Sequence, residues 1–169
     1  MATATLQGLL EQIEECAKNV DKADENLRKV LLEDIVGQGF TAFGLSDSLE
    51  PIAAQAEVIQ GLAEKCMSSA FVTWSHRMTT EYIDRFASDA LRSAHLNELR
   101  RGTRVGSTAL ATALADKSGK ELLPITFTEV DGHFEINGVI PWASNLYEDT
   151  LVVFAARNET TEERVIFAS

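Results

Sequence analysis

Apolar residues recur every three or four positions through the first hundred residues and about every second position after that. The first spacing is that of helices with one buried face, the second that of strands. Five helices are predicted. Thr5 caps the first, with Leu6, Leu9, Leu10 and Ile13 on one face. The second covers residues 24–36, carries Leu27, Val30, Leu31 and Ile35, and stops near Gly37 and Gly39. Asp47 or Ser48 caps the third, which has Pro51 in its first turn and Ile52, Ala56, Ile59 and Ala63 as its stripe. Ser68 or Ser69 begins the fourth, where Phe71, Trp74, Met78, Tyr82 and Phe86 form a helical stripe read as core packing. Ser88 caps the fifth, residues 89–101, which carries Leu91, Ala94, Leu96 and Leu99 and ends at Gly102.

Beyond Gly102, β-branched residues, Gly and Pro increase. Strands are predicted at 104–112, 122–130, 133–137, 139–143, 151–157 and 164–168, with polar turns at 116–121 and 158–163. Asp131-Gly132 and Asn137-Gly138 read as two tight hairpin turns, because both pairs favour positive φ. The expected fold is α+β: an N-terminal helical bundle, residues 1–102, followed by an incomplete antiparallel β-barrel-like domain, residues 103–169. The apolar strand Val165-Ile166-Phe167-Ala168 has an edge that nothing in this sequence covers. A flat apolar edge invites pairing, so a complementing chain, or another part of the same polypeptide, is expected there.

With 45% hydrophobic and 24% charged residues, the 169-residue chain has the composition of a globular protein. Its net charge of −11 disfavours nucleic acid and anionic membrane as partners, and an anionic ligand would need a locally basic pocket. No apolar run approaches the roughly 18 residues of a membrane span, and no signal peptide is recognisable, so a cytoplasmic protein is expected. Cys16 and Cys66 read as reduced, buried thiols. His76, His95 and His133 lack partners at metal-ligand spacing, so no metal is expected. Arg100, Arg101 and Arg104 cluster at the domain boundary. They read first as charges complementing a helix C-terminus and second as phosphate contacts. There is no Ser-His-Asp order, nucleophile elbow or phosphate-binding loop.

Three stretches in order carry a resemblance. They are residues 75–102, Val105-Gly106-Ser107-Thr108-Ala109-Leu110-Ala111-Thr112, and the run from Phe134 through Trp142-Ala143-Ser144-Asn145. Together they resemble the N-terminal helical domain and the first part of the middle β domain of acyl-CoA dehydrogenase-like flavoproteins. The resemblance implies FAD as cofactor and α,β-dehydrogenation of an acyl-CoA: a carboxylate removes the α-proton and the β-hydride passes to the flavin. It implies that Trp142 packs beside the flavin ring, that Ser144 offers its hydroxyl to flavin N5, and that Thr108, Leu110 and Ala111 lie along the pyrimidine side. It also implies an oligomer, usually a homo-oligomer, and a C-terminal helical domain holding the catalytic carboxylate. No catalytic residue is therefore assigned within these 169 positions.

The resemblance departs at Ala111 and Thr112, which stand where the family has Thr-Glu, and the Gly-rich loop that follows in the family is missing. Two other readings follow from that departure. One is a flavin-dependent monooxygenase of the same fold. The other is a non-catalytic, flavin-free scaffold that binds a partner through its strand edge.

Overall fold

The computed structural model describes residues 5–22 and 25–169. Five helices come first: α1 (Leu6–Asp21), α2 (Glu25–Gly37), α3 (Ile52–Lys65), α4 (Met67–Phe86) and α5 (Asp89–Arg101). They are followed by β1 (Gly106–Ala109), α6 (Ala111–Lys117), β2 (Ile125–Val130), β3 (His133–Gly138), β4 (Leu151–Asn158) and β5 (Arg164–Ala168). This is the expected α+β arrangement of a helical bundle and an unclosed sheet.

The helix signals hold at several ends. The Thr5 hydroxyl accepts the Gly8 N–H and the Ser88 hydroxyl accepts the Leu91 N–H. Gly102 closes α5 at φ 71°, with its own N–H bonded to Leu99 O and that of Thr103 to Glu98 O. The expected start of α2 at position 24 lies outside the described residues. At α3 the cap differs: Pro51 itself holds the N-cap position, while Ser48 Oγ bonds the Glu50 N–H. At α4 the cap is Cys66, whose Sγ accepts the Ser69 N–H.

The bundle core is built from Leu9, Ile13, Leu31, Ile35, Val58 and Leu62. Two helices are rotated from expectation. On α3 the buried side chains are Gln55, Val58 and Leu62, and the Ile52–Ala56–Ile59–Ala63 stripe lies along an open groove. On α4 the buried face is mostly polar, including Thr73, Ser75, His76, Arg77, Thr79, Thr80 and Asp84. Phe71, Trp74 and Phe86, expected in the core, are instead exposed. Three of the buried hydroxyls are satisfied within the helix itself. Thr73, Thr79 and Thr80 each donate to the carbonyl four residues back, at 2.7, 3.1 and 3.0 Å.

The sheet is mixed. β2–β3 and β4–β5 are antiparallel, while β1 and β2 both pair parallel to β4. β5 covers Val153–Arg157 of β4, so β1 (at residues 151–154) and β2 (at 157–158) share the opposite edge end to end. Aromatic edge contacts among Phe127, Phe134 and Phe167 fill one face. The other face packs on the bundle through Ile83, Leu99, Leu151 and Val153.

Three strand expectations are corrected. Asp131 and Gly132, at φ 49° and 77°, make the two-residue hairpin, but Asn137-Gly138 does not turn the chain back. Gly138 is the last rung of β3, paired with Ile125, and residues 139–143 form no strand. Pro141 removes a ladder donor in that run. The strand expected at 104–112 stops at Ala109 because the alanine-rich stretch Ala111–Lys117 coils into α6. Among the described residues no helix is long and apolar enough to cross a membrane.

Candidate functional site

The bundle and the sheet are joined through one buried histidine. His76 is 1% exposed. Its Nδ1 lies 3.0 Å from the Gly106 N–H, which can only donate, so Nδ1 is the unprotonated nitrogen. Nε2 therefore carries the proton and donates to Leu99 O at 3.1 Å. Burial lowers the pKa of His76 to about 4; the bond to Leu99 opposes the shift and the neighbouring Arg77 charge adds to it. At neutral pH this ring is an uncharged pin between α4, the end of α5 and the start of β1.

A second pin comes from the irregular segment after β3. Asn145 is buried at φ 60°, and its Nδ2 donates to Val72 O at 2.8 Å and to Gly106 O at 3.2 Å. The Asn145 carbonyl accepts the Thr150 hydroxyl at 2.7 Å, and that hydroxyl accepts the Tyr147 N–H at 2.8 Å. The stretch holding Trp142 and Ser144 is thereby fixed beside β1 although it forms no strand. Ile140 and Ala143 pack against the sheet core, Ser144 is half-buried, and the Trp142 ring is 63% exposed.

On β1, Thr108 is half-buried. Its Oγ1 is buried and completes no hydrogen bond of normal geometry, although the Tyr82 phenol is near enough to interact with it. Leu110 holds the N-cap position of α6 and lines a cavity of about 570 Å³ between the α4–α5 corner and the sheet. Ala111 opens α6 and is exposed. Trp142, Ser144 and Thr108 thus belong to neighbouring backbone segments tied at Gly106, while Leu110 and Ala111 continue from β1 into a helix rather than along a strand.

The basic cluster is committed to structure. Arg100 forks onto Asp47 at 2.7 and 2.8 Å and also reaches Asp84 at 3.1 Å. Arg104 donates to Asp149 O and to His95 Nδ1, at 3.0 and 2.9 Å. Arg100 thus pairs with two carboxylates and Arg104 with a carbonyl and a histidine ring, rather than with the carbonyls at the C-terminus of α5. The roles of His76 and Asn145 are not legible in the sequence: His76 shows no metal-ligand spacing, and Asn145 is set apart from its neighbours Trp142 and Ser144 only by its long-range bonds.

No protein-family model matches this sequence, and no curated protein does either. Solved structures do match. Butyryl-CoA dehydrogenase from Megasphaera elsdenii superposes with a TM-score of 0.76 at 19% identity, over 97% of this chain and 48% of that one. This chain has the acyl-CoA dehydrogenase fold. Glutaryl-CoA dehydrogenase from Mycobacterium smegmatis gives 0.73 at 14% identity, over 100% of this chain and 46% of that one. PigA, in a structure with FAD and proline, gives 0.71 at 15% identity, over 100% and 49%. The chain spans about half the length of these acyl-CoA dehydrogenase-fold structures.

Proposed function

We propose that this chain is the flavin-holding portion of an FAD-dependent oxidoreductase of acyl-CoA dehydrogenase type, made of a helical domain at 1–102 and part of the β domain at 103–169. The observation that carries the reading is the superposition of nearly the whole chain on PigA, solved with FAD, and on butyryl-CoA dehydrogenase. The local geometry suits it. A large aromatic ring is exposed at Trp142, beside a strand that carries Thr108, whose buried hydroxyl completes no hydrogen bond of normal geometry. A planar polar ring system with its own donors and acceptors would cover the first and engage the second.

In this reading Trp142 packs on the flavin and Ser144 and Thr108 hydrogen-bond its edge. Leu110 and Ala111 border the pyrimidine side, Ala111 through its backbone. Bound FAD supplies hydride-accepting chemistry, and the chain's residues hold and orient it. The catalytic base, the acyl-CoA, and the homo-oligomer or complementing chain belong to the complete enzyme and stand as proposals with it.

A monooxygenase of the same fold is the second reading. It is favoured by Ala111 and Thr112, which stand where the family has Thr-Glu and here open α6. Titration with FAD, followed by quenching of flavin fluorescence, tests the shared premise. Saturable binding that weakens in Trp142→Ala and Thr108→Val is expected. Binding absent from the purified protein and from its native complexes would overturn both readings in favour of a flavin-free scaffold. Bleaching of the bound flavin by an acyl-CoA, against oxygen consumption coupled to a hydroxylated product, separates the two.

A further inference from the structure

We propose that the cavity between the α4–α5 corner and the sheet binds a neutral, one- or two-ring aromatic molecule. Its role as a substrate site rests on the flavin reading, through the shared residue Leu110, but the binding itself does not.

The cavity measures about 570 Å³, within the roughly 300–1,000 Å³ of small-molecule sites. Its walls include Tyr82, Phe86 and Leu91 from the helices and Leu110, Val153 and Phe167 from the sheet side. Among the described residues no charged side chain lines it. The two guanidiniums closest in sequence are occupied elsewhere. Arg85 pairs with Glu81 and donates to Gly44 O. Arg92 is bonded to Asp89 and to the carbonyls of Asp84 and Ala87. A carboxylate or phosphate buried here would meet no counter-charge among the lining residues, and burying an unpaired anion is strongly disfavoured. Three aromatic walls instead offer edge and face contacts to a flat apolar ring.

Two hydroxyls line it: that of Ser88 is engaged in capping α5, where it accepts the Leu91 N–H, and that of Tyr82 is the polar handle. The Tyr82 phenol faces Thr108, whose Oγ1 is buried without a completed hydrogen bond. Burial raises the phenol's pKa, with the Thr108 hydroxyl opposing the shift, so Tyr82 is a neutral donor and acceptor at physiological pH. A ligand hydroxyl or ring N–H entering here finds a partner; a carboxylate gains only one neutral bond.

The test uses the flavin-free chain at pH 7 and two probes of one skeleton, 2-naphthol and 2-naphthoate, read by NMR shifts of the Ile83, Val153 and Ile166 methyl groups. Saturable shifts with naphthol are expected, and binding of naphthoate weaker by at least about tenfold. Tyr82→Phe should weaken naphthol while leaving naphthalene unchanged. Ala87→Trp and Leu91→Trp fill the cavity from its two helical sides. Each should abolish naphthol binding, and a failure of either variant to fold leaves the other as the test. Equal binding of naphthoate, no binding of naphthol, or unaltered binding in a folded cavity-filled variant would overturn the proposal. Because the experiment contains no flavin, its failure alongside intact FAD binding sinks this inference alone, and lost FAD binding with intact naphthol binding sinks only the flavin reading.

Discussion

His76 Nδ1 accepts the Gly106 N–H at 3.0 Å, so a ring on the longest helix fixes where the first strand begins. The ring accepts this bond only while uncharged. Its pKa falls from 6.5 to about 4 on folding, chiefly through burial. Between those values the unfolded chain binds more protons than the folded one, so stability falls as pH is lowered from about 6.5 to about 4 and this contribution levels off below. The full span is worth roughly 3 kcal/mol. Urea denaturation across pH 4–7.5 should show that slope in the natural chain. His76→Gln does not titrate and should be less stable at neutral pH but flatter over the same range. Parallel curves would refute the assignment.

Asp84 should govern the more acidic limb. Its carboxylate is almost wholly buried on α4 and accepts the Ser46 N–H and hydroxyl, both at 2.8 Å, and Arg100 at 3.1 Å. Burial by itself would raise its pKa. The Ser46 bonds and the Arg100 charge outweigh that and hold the carboxyl below its usual 3.8. Stability from this group is therefore present above about 3.8 and lost as pH falls through the lower folded value. Asp84→Ala should cost about 2–4 kcal/mol at pH 7, because Ser46 and Arg100 lose a buried acceptor. Chemical denaturation of that variant, with Asp84→Asn for comparison, measures it. A loss below about 0.5 kcal/mol would show that Asp47 alone satisfies Arg100.

Much of this architecture was legible in the chain because it rests on local chemistry. The Thr5 and Ser88 hydroxyls, Gly102 in the left-handed region and Asp131-Gly132 each specify a turn or an end without tertiary help. The rotation of α4 was not legible. Its apolar stripe reads as the core face, yet the polar face is the buried one, through bonds back to its own helix and through long-range bonds linking His76 to Leu99, Arg77 to Phe43 and Asp84 to Ser46 and Arg100, 16 to 38 residues away. The path of residues 139–149 was hidden for a related reason. It is set by Asn145 reaching carbonyls 73 and 39 residues distant, which no periodicity encodes. Around the candidate residues, the joint at Gly106 rests on long-range bonds from His76 and Asn145 and so has no signature in the local sequence.

Asn145 performs two jobs that substitution can separate. Its amide joins Val72 O and Gly106 O, and its backbone sits at φ 60°, where most side chains are strained. Asn145→Gly removes the amide but keeps the backbone at ease; Asn145→Ala removes both advantages. Losses of about 1–3 kcal/mol for Gly and about 1 kcal/mol more for Ala are expected in thermal or urea unfolding. In each, amide hydrogen exchange at Ser144 and Tyr147 should accelerate more than in the bundle, since the segment loses its anchor while α1 to α3 do not. Uniform acceleration everywhere would mean that Asn145 supports the whole fold rather than this segment.

Gly106 gives the clearest steric prediction. A Cβ there would stand 2.7 Å from Thr79 Cβ, 2.9 Å from its Cγ2 and 3.3 Å from the His76 carbonyl oxygen. The first is closer than real carbons approach, and the third atom is helix backbone that cannot rotate away. Gly106→Ala should therefore push β1 off α4 and cost about 1–3 kcal/mol or more. Thr79→Ala should not rescue it, because the nearest atom is Thr79 Cβ itself. Thr79→Gly in the same background should recover part of the loss despite its own helix penalty of about 1 kcal/mol relative to alanine. Unfolding midpoints of the natural chain and these three variants decide the matter. If Gly106→Ala is tolerated, or if Thr79→Ala restores it as well as Thr79→Gly does, β1 does not lie against α4 at this distance. The His76–Gly106 bond, which requires that approach, would then fall with it.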